Sequence, residues 1–263
     1  MFLLLLLLPL SLLAKELTLC YKAYYAFFPV AQTCITYKLQ GEDLVISSYA
    51  KTINVGGLVK RVYNYGYAVI SAKNLMPKEF FYHQEEGEFK RRQHYIFKNS
   101  KIHVKETHYV GLTDKVEREE ERVYPFDGYP DPYTASLVLY KNSIQNGEGV
   151  IKMFYDDKKY HIPYKVVGEE EIKVPAGKYY AKVVDVTPNV ETKGLLRPKG
   201  RWKLWIEKDS LFPVRMQLFF VLGSVRALLE EVKGDRELLG KSFWSKIDGS
   251  QTRNSPWFCG RAH

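Results

Sequence analysis

The sequence predicts a mainly β protein, a curved antiparallel sheet that is barrel-like or a sandwich, with one short covering helix. Three observations support this fold class. Aromatic residues make up 14% of the 263 residues, with 20 Tyr and 14 Phe, and aromatic side chains favour strands. Short strand-forming runs alternate with turns rich in Gly, Asn and Asp. Strands do not alternate with long helices, so a parallel α/β sheet is not expected.

The first hundred residues are a succession of short predicted strands. Turn pairs such as Glu86-Gly87 and Asn99-Ser100 separate them and indicate hairpins. Side chains along residues 101–110 alternate in polarity, which is typical of a half-buried strand. The predicted strands here are residues 17–26, 33–39, 44–52, 59–63, 67–71, 80–84, 89–97 and 101–110.

A single helix interrupts the strands near the middle of the chain. Residues 116–123 are charged and predict an exposed strand, and the segment 124–130 is too rich in Pro and Gly for regular structure. Asp131 followed by Pro132 is a typical helix start, and the helix is expected to run to Asn142. The strand pattern then resumes at residues 150–155, 158–167, 169–174, 179–186, 201–207, 211–222 and 225–232.

The apolar start and the unusual end of the chain divide the sequence into three regions. Residues 1–14 contain an unbroken Leu3–Leu8 run, too short to span a bilayer, and predict a secretory signal peptide. The alternative is an uncleaved anchor that would associate the protein with a membrane. Residues 15–232 form the β domain, and 233–263 are a basic tail, either flexible or a docking segment. We therefore expect export to the periplasm or cell envelope.

The net charge of +9 does not predict nucleic-acid binding. The densest basic cluster, Lys90 to Arg92, directly follows Glu85, Glu86 and Glu88. Basic and acidic residues are interleaved in this way along most of the chain, which is typical of a solvated surface rather than of a basic stripe.

Cys20 and Cys34 lie on adjacent predicted strands, and two interpretations are open. Export would place them in an oxidising compartment, where they could form a disulfide. Nothing in their spacing requires a bond, so two free thiols in the core are the expectation. Cys259 has no evident partner in the tail.

No catalytic, metal or cofactor motif is recognisable. The sequence lacks the Gly-x-Ser-x-Gly elbow and a phosphate-binding Gly loop. The histidines do not follow the spacing of a zinc hydrolase, so neither a metal site nor a cofactor is expected. The six histidines are His83, His94, His103, His108, His161 and His263.

The second half of the chain carries an ordered set of short motifs. The chain resembles DUF3108, a bacterial exported domain of unknown function, over about residues 129–232. The resemblance implies an exported, mainly antiparallel β domain of the cell envelope and carries over no catalytic residue. The motifs are Pro130-Asp131-Pro132, Val174-Pro175-Ala176-Gly177-Lys178-Tyr179, Trp202 to Asp209, Leu211 to Arg215, and Gly223-Ser224-Val225-Arg226-Ala227.

Four residues of this half are candidates for ligand contact. Arg215 is expected to pair with a carboxylate, the alternative being an anionic ligand. Trp202 and Trp205 are expected to be core or rim aromatics, the alternative being an aromatic cage for a ligand. Tyr133 is the fourth candidate. The preferred function is non-enzymatic binding of an amphiphilic ligand, such as a lipid or glycan, or of an envelope protein. The alternative is an envelope polymer hydrolase with a dispersed His/Asp site.

Overall fold

The computed structural model describes residues 15–190, 200–220 and 223–250, and most of these residues belong to one antiparallel sheet. The predicted mainly β fold is therefore confirmed. The strands are β1 (Glu16–Tyr25), β2 (Phe28–Gln40), β3 (Asp43–Thr52), β4 (Tyr63–Ser71), β5 (Pro77–Glu86), β6 (Phe89–Lys98), β7 (Lys101–Tyr109), β8 (Val116–Pro125), β9 (Glu148–Tyr155), β10 (Lys158–Val174), β11 (Gly177–Val186), β12 (Trp202–Glu207), β13 (Pro213–Phe220) and β14 (Gly223–Gly234). The helices are α1 (Val55–Val59), α2 (Pro132–Asn146) and α3 (Lys241–Ser250).

Two up-and-down meanders make up the sheet. Strands β1 to β8 each pair with the next strand along the chain, and so do strands β9 to β14. The meanders join where β1 pairs with β14, so the first and last strands lie side by side at the centre of the sheet. Strands β8 and β9 form the two edges and do not pair with each other. The sheet is therefore open rather than a closed barrel.

Ring contacts between the two meanders show that the sheet curls on itself. The rings of Phe80 and Tyr155 have centroids 6.5 Å apart, and those of Tyr95 and Phe154 are 5.7 Å apart. Phe80 and Tyr95 come from the first meander, whereas Tyr155 and Phe154 come from the second. All four side chains are buried. The inner face of the curl is thus filled by side chains of both halves.

Helix α2 covers the inside of the curl next to the edge strand β9. It packs on β9, β10 and β11 of one meander and on β4 of the other. The Asp131 carboxylate caps it by accepting hydrogen bonds from the backbone N–H of Tyr133 (2.9 Å) and Thr134 (3.1 Å), and Pro132 occupies the first turn, as the sequence predicts. The helix runs to Asn146, one turn beyond the predicted end at Asn142.

Burial shifts the protonation of this cap. The Asp131 side chain is fully buried, and desolvation raises the pKa of its carboxyl to about 6, against the effect of three hydrogen bonds that stabilise the charged form. One of these bonds comes from the Thr134 hydroxyl, which donates to Oδ2 at 2.6 Å.

The tail differs from the flexible extension that the sequence allows, as far as residue 250. Strand β14 reaches Gly234, and α3 follows after a turn. Phe243, Trp244 and Ile247 of α3 are buried in the same core as the sheet. The Lys141 ammonium of α2 forms an ion pair with Asp248. Helix α3 therefore packs on α2 and on the core of the sheet.

Cys20 and Cys34 face each other directly across β1 and β2, and the structure joins them in a disulfide with a Cα–Cα distance of 4.1 Å. This differs from the two free thiols that the sequence favours. The spacing alone could not reveal the pairing, because it depends on the strand register.

The predicted signal peptide, residues 1–14, and Cys259 lie outside the described residues. Among the helices that the structure describes, none combines the length and the apolar character needed to cross a bilayer.

Candidate functional site

An open pocket of about 370 Å³ lies where the hairpin β13–β14 meets the turn between β1 and β2. The register brings these segments together, since Gln217 is opposite Arg226 across the hairpin and Tyr24 is opposite Arg226 on the other side. The pocket is lined by Tyr25, Ala26, Arg215, Gln217, Gly223, Ser224 and Arg226.

Strand alternation places Arg215 in this pocket. Its neighbour Val214 is fully buried in the core, so the Arg215 side chain points to the opposite face of the sheet. Directly across on β12 lies Trp205, and the guanidinium carbon of Arg215 is 4.2 Å from the centroid of its ring. Trp205 is held in turn by Glu170, whose carboxylate accepts a hydrogen bond from the indole N–H at 2.5 Å. Trp205 is thus a fixed platform for the guanidinium.

Neither arginine of the pocket forms an ion pair with an acidic residue that the structure describes. The described residues therefore do not show the expected pairing of Arg215 with a carboxylate, although Glu170 is near enough to influence its charge. Arg226 donates to the carbonyl oxygen of Ala26 at 2.6 Å, and Arg215 makes one long contact of 3.4 Å with Gln217. The Nε of Arg215 is buried without a hydrogen-bond partner.

Two effects make this pocket attractive to an anion. Burial lowers the pKa of Arg215, the neighbouring positive charge of Arg226 lowers it further, and the carboxylate of Glu170 opposes the two only in part. A bound anion would raise the pKa of Arg215 again. Its negative charge would offset the desolvation of the guanidinium and screen the repulsion between Arg215 and Arg226.

Neutral groups complete the lining. The amide of Gln217 donates to the Ser224 hydroxyl oxygen at 3.0 Å, which leaves the hydroxyl proton of Ser224 to donate elsewhere. At Gly223, where φ is 107°, a Cβ would lie 3.5 Å from the Tyr25 ring, so this ring forms a wall close to the turn.

The arrangement can bind but has no acid–base machinery. Its lining residues supply guanidinium, amide and hydroxyl groups, and they include no carboxylate, imidazole or thiol. Guanidinium groups recognise carboxylates, phosphates and sulfates through paired N–H donors. Ser224 has no base beside it in the lining that could activate its hydroxyl for nucleophilic attack.

Two of the four sequence candidates, Arg215 and Trp205, meet at this pocket, and two lie elsewhere. Trp202 is three residues before Trp205 on the same strand, so it faces the other side of the sheet, where it packs against the core. Tyr133 is inside the curl, where its hydroxyl is 2.6 Å from that of Ser48 and burial raises its pKa to about 12.

The described histidines do not converge on one cleft. His83 is hydrogen-bonded to Glu85, His94 to Glu79 and His108 to Glu106. Within the described ranges, no three metal-ligating side chains come together. These separate pairs give no support to a hydrolase with a dispersed His/Asp site.

A second polar cluster lies inside the curl and joins the two meanders. Arg91 is fully buried, and its guanidinium contacts Asp156 at 2.6 Å and Glu106 at 3.5 Å. It also donates to the side-chain oxygen of Gln84 at 3.0 Å. Asp156 belongs to the turn between β9 and β10, whereas the other three residues come from β5, β6 and β7. The cluster is enclosed, so we assign it a structural role.

Comparison with known proteins finds a family and, among solved structures, matches that include the two described next. The family model DUF3108, a protein of unknown function, matches residues 20–230 and so extends the similarity through the first meander. A β-barrel-like protein of the domain of unknown function DUF1849 from Brucella abortus has a similar fold, with a TM-score of 0.55 at 11% identity over 84% of this chain and 98% of that one. A candidate exported protein from Bacteroides fragilis with a YmcC-like fold gives a TM-score of 0.39 at 12% identity, over 82% of this chain and 95% of that chain. Among curated proteins, no sequence matches the chain.

Proposed function

The chain belongs to the DUF3108 family of proteins of unknown function, and from that premise we propose that it is an exported envelope protein that binds an anionic amphiphile without catalysing a reaction. The anionic group of the ligand is held between Arg215 and Arg226, and its apolar part lies against the Tyr25 side of the pocket. One observation carries this proposal: two neighbouring arginines of an open pocket contact only neutral groups and an aromatic ring, and neither forms an ion pair with a residue that the structure describes.

The electrostatics favour an anion over a neutral ligand. A half-buried cation without an ion-pair partner weakens the folded state, and a second cation beside it adds repulsion. The Glu170 carboxylate, which accepts a hydrogen bond from Trp205, offsets this only in part. Arg215 tolerates this position because it stacks on Trp205 and contacts Gln217. A bound anion would accept charge-assisted hydrogen bonds from both arginines and so offset the desolvation of Arg215 and the repulsion between the two charges.

Export is supported by two independent features. Residues 1–14 have the apolar composition of a signal peptide. The disulfide between Cys20 and Cys34 is a bond that persists in an oxidising compartment such as the periplasm. Both features agree with a protein of the cell envelope.

The proposal is tested by calorimetric titration with dodecyl phosphate and, as the neutral comparison, dodecyl maltoside, each below its micelle-forming concentration. We expect the phosphate to bind and the maltoside to bind at least about tenfold more weakly, since one charge-assisted contact contributes about 1.5–3 kcal/mol. Arg215→Gln and Arg226→Gln should each weaken phosphate binding about tenfold or more.

The matched control is Arg118→Gln, which removes the same charge from an exposed position on β8. It should leave the affinity for dodecyl phosphate unchanged. Equal binding of the two amphiphiles, or equal losses in all three variants, would show that the pocket does not select an anion.

A further inference from the structure

The end of the sheet that carries the pocket also exposes large apolar side chains. Phe27 is 77% exposed and Phe28 48%, and both lie at the turn between β1 and β2, directly after the pocket residues Tyr25 and Ala26. Leu58 is 87% exposed and lies on α1, which connects β3 and β4 at the same end. Seven of the fourteen exposed large apolar side chains in the described ranges lie at these two connections, and they include the three most exposed, Phe27, Leu58 and Val59.

These two apolar segments are held next to each other by a close backbone approach. The N–H of Ile53 donates to the carbonyl oxygen of Val30 at 2.9 Å. At Gly56 of α1, a Cβ would lie 2.1 Å from that same oxygen, so only glycine allows α1 to sit against the start of β2. The turn at Phe27 and Phe28 and helix α1 therefore form one surface, the apolar tip, consisting of Phe27, Phe28, Val55, Leu58 and Val59.

The charge next to the apolar tip is mainly positive. The segments 17–41, 44–78 and 210–229 build most of this end, and none of them contains an Asp or a Glu. Their basic residues at this end are Lys51, Lys60, Arg61, Arg215 and Arg226. Acidic residues come close at the turn between β5 and β6, where the N–H of Gly87 donates to the carbonyl oxygen of Arg61, but Glu86 of this turn is buried and Glu88 is exposed. Basic residues therefore outnumber exposed acidic ones beside the tip.

An apolar tip surrounded by basic side chains is complementary to one kind of partner. The surface of an anionic bilayer offers acyl chains beneath a layer of negative head groups, and proteins bind it through buried apolar side chains and Lys or Arg at head-group level. The exposed Phe27 and Leu58 are of the type that inserts at this boundary. A protein partner would require polar groups on the surface to match its own, and the tip offers few.

We propose that the apolar tip docks on an anionic lipid membrane, with the side chains of Phe27 and Leu58 inserted at the acyl boundary. The contact of one lipid head group with Arg215 and Arg226 rests on the proposed function, whereas docking of the tip does not. Tyr25 and Ala26 line the pocket and continue directly into Phe27, so a lipid at the tip can reach the pocket without leaving the leaflet.

The test is co-sedimentation of the chain from Lys15 onward, which contains every strand of the sheet, with sucrose-loaded vesicles. Vesicles of phosphatidylglycerol and phosphatidylcholine in equal parts should bind it at least about tenfold more strongly than pure phosphatidylcholine. The double variant Phe27→Ser/Leu58→Ser should lose about tenfold or more of the binding to the anionic vesicles. The matched control, Val123→Ser/Val150→Ser, replaces two residues that are each 55% exposed away from the tip and should bind normally.

The outcomes separate the tip from the pocket. If the tip docks, Phe27→Ser/Leu58→Ser loses vesicle binding but keeps its affinity for glycerol phosphate, a soluble probe that reaches only the pocket. If Arg215→Gln/Arg226→Gln keeps full vesicle binding, the tip docks without the proposed head-group contact. Equal binding to both kinds of vesicle, or an unchanged Phe27→Ser/Leu58→Ser variant, would overturn the docking proposal. Circular dichroism spectra and melting curves that match the parent chain show that the variants are folded.

Discussion

The guanidinium of Arg91 lies 2.6 Å from the carboxylate of Asp156 in a contact that spans the two meanders of the sheet. Arg91 is on β6, and Asp156 is in the turn between β9 and β10. A second contact of the same kind joins Arg122 of β8 to Asp157, at 3.0 Å. Since β8 and β9 do not pair, these ion pairs connect the two halves where backbone hydrogen bonds do not.

Removing the buried cation should therefore destabilise the fold. Arg91→Met is expected to lower the free energy of unfolding by about 3 kcal/mol or more, because the buried Asp156 loses its closest counter-charge, whereas Glu106 keeps Arg122 and His108. The comparison is Arg118→Met, which removes a guanidinium that is 56% exposed and should cost less than about 1 kcal/mol. Urea denaturation followed by tryptophan fluorescence measures both values. Similar losses in the two variants would mean that Arg91 does not hold the meanders together.

The sequence was informative about local structure and less so about long-range pairing. Alternating side chains and turn residues predicted an antiparallel sheet, and the Asp131-Pro132 pair predicted the start of α2. These signals are local, because a strand or a helix cap depends on residues a few positions apart. The pairing of β1 with β14 joins residues about two hundred positions apart, and no local pattern encodes it. Helix α1 was missed because its Gly56-Gly57 pair is typical of a break.

The candidate site could be predicted in part. The sequence marks Arg215 and Trp205 as candidates for ligand contact, but their stacking depends on the register between β12 and β13. Arg226 was seen as part of a motif and not as a site residue. A signal for it was present, because a hairpin that turns near Gly223 places residues 215 and 226 diagonally across from each other. Trp202 was taken together with Trp205, although three residues along a strand reverse the face.

The disulfide between Cys20 and Cys34 should change both the free energy of unfolding and the number of thiols that alkylation detects. Cys20→Ser/Cys34→Ser is expected to lower the free energy of unfolding by about 3 kcal/mol, as expected for a closed loop of this length. Alkylation in denaturant should add one adduct per chain without reductant and three after reduction, because the sequence contains three cysteines. Three adducts before reduction, in protein purified from an oxidising compartment, would contradict the bond.

Two variants distinguish the support that Trp205 gives to Arg215 from the general effect of removing a large packed ring. Trp205→Leu should weaken the binding of dodecyl phosphate about tenfold, since Arg215 loses the ring on which it stacks. Trp202→Leu removes an equal ring from the opposite face and should leave the affinity unchanged. Both variants are expected to lose stability, because both rings pack against core residues. Calorimetric titration of both variants decides the matter, and equal losses of affinity would contradict the platform role.

The helix cap at Asp131 should make the stability of the protein depend on pH. Burial raises the pKa of this carboxyl from 3.8 to about 6, so the folded protein takes up the proton before the unfolded chain does as the pH falls. Asp131 therefore contributes most stability below its unfolded pKa, and this contribution is lost as the pH rises through about 6. A shift of this size corresponds to about 3 kcal/mol between the two limits.

Asp131→Asn tests this dependence, because Asn is an equally good N-cap and does not titrate. Relative to this variant, the parent chain should gain about 2 kcal/mol of unfolding free energy between pH 7.5 and 4.5, since most of the shifted titration lies in that interval. Other carboxylates, such as Glu79 with its lowered pKa, weaken both proteins equally as the pH falls and cancel in the difference. Urea denaturation at several pH values gives this difference directly. A constant difference would show that Asp131 keeps an ordinary pKa in the folded protein, and a change of the opposite sign would mean that its hydrogen bonds outweigh its burial.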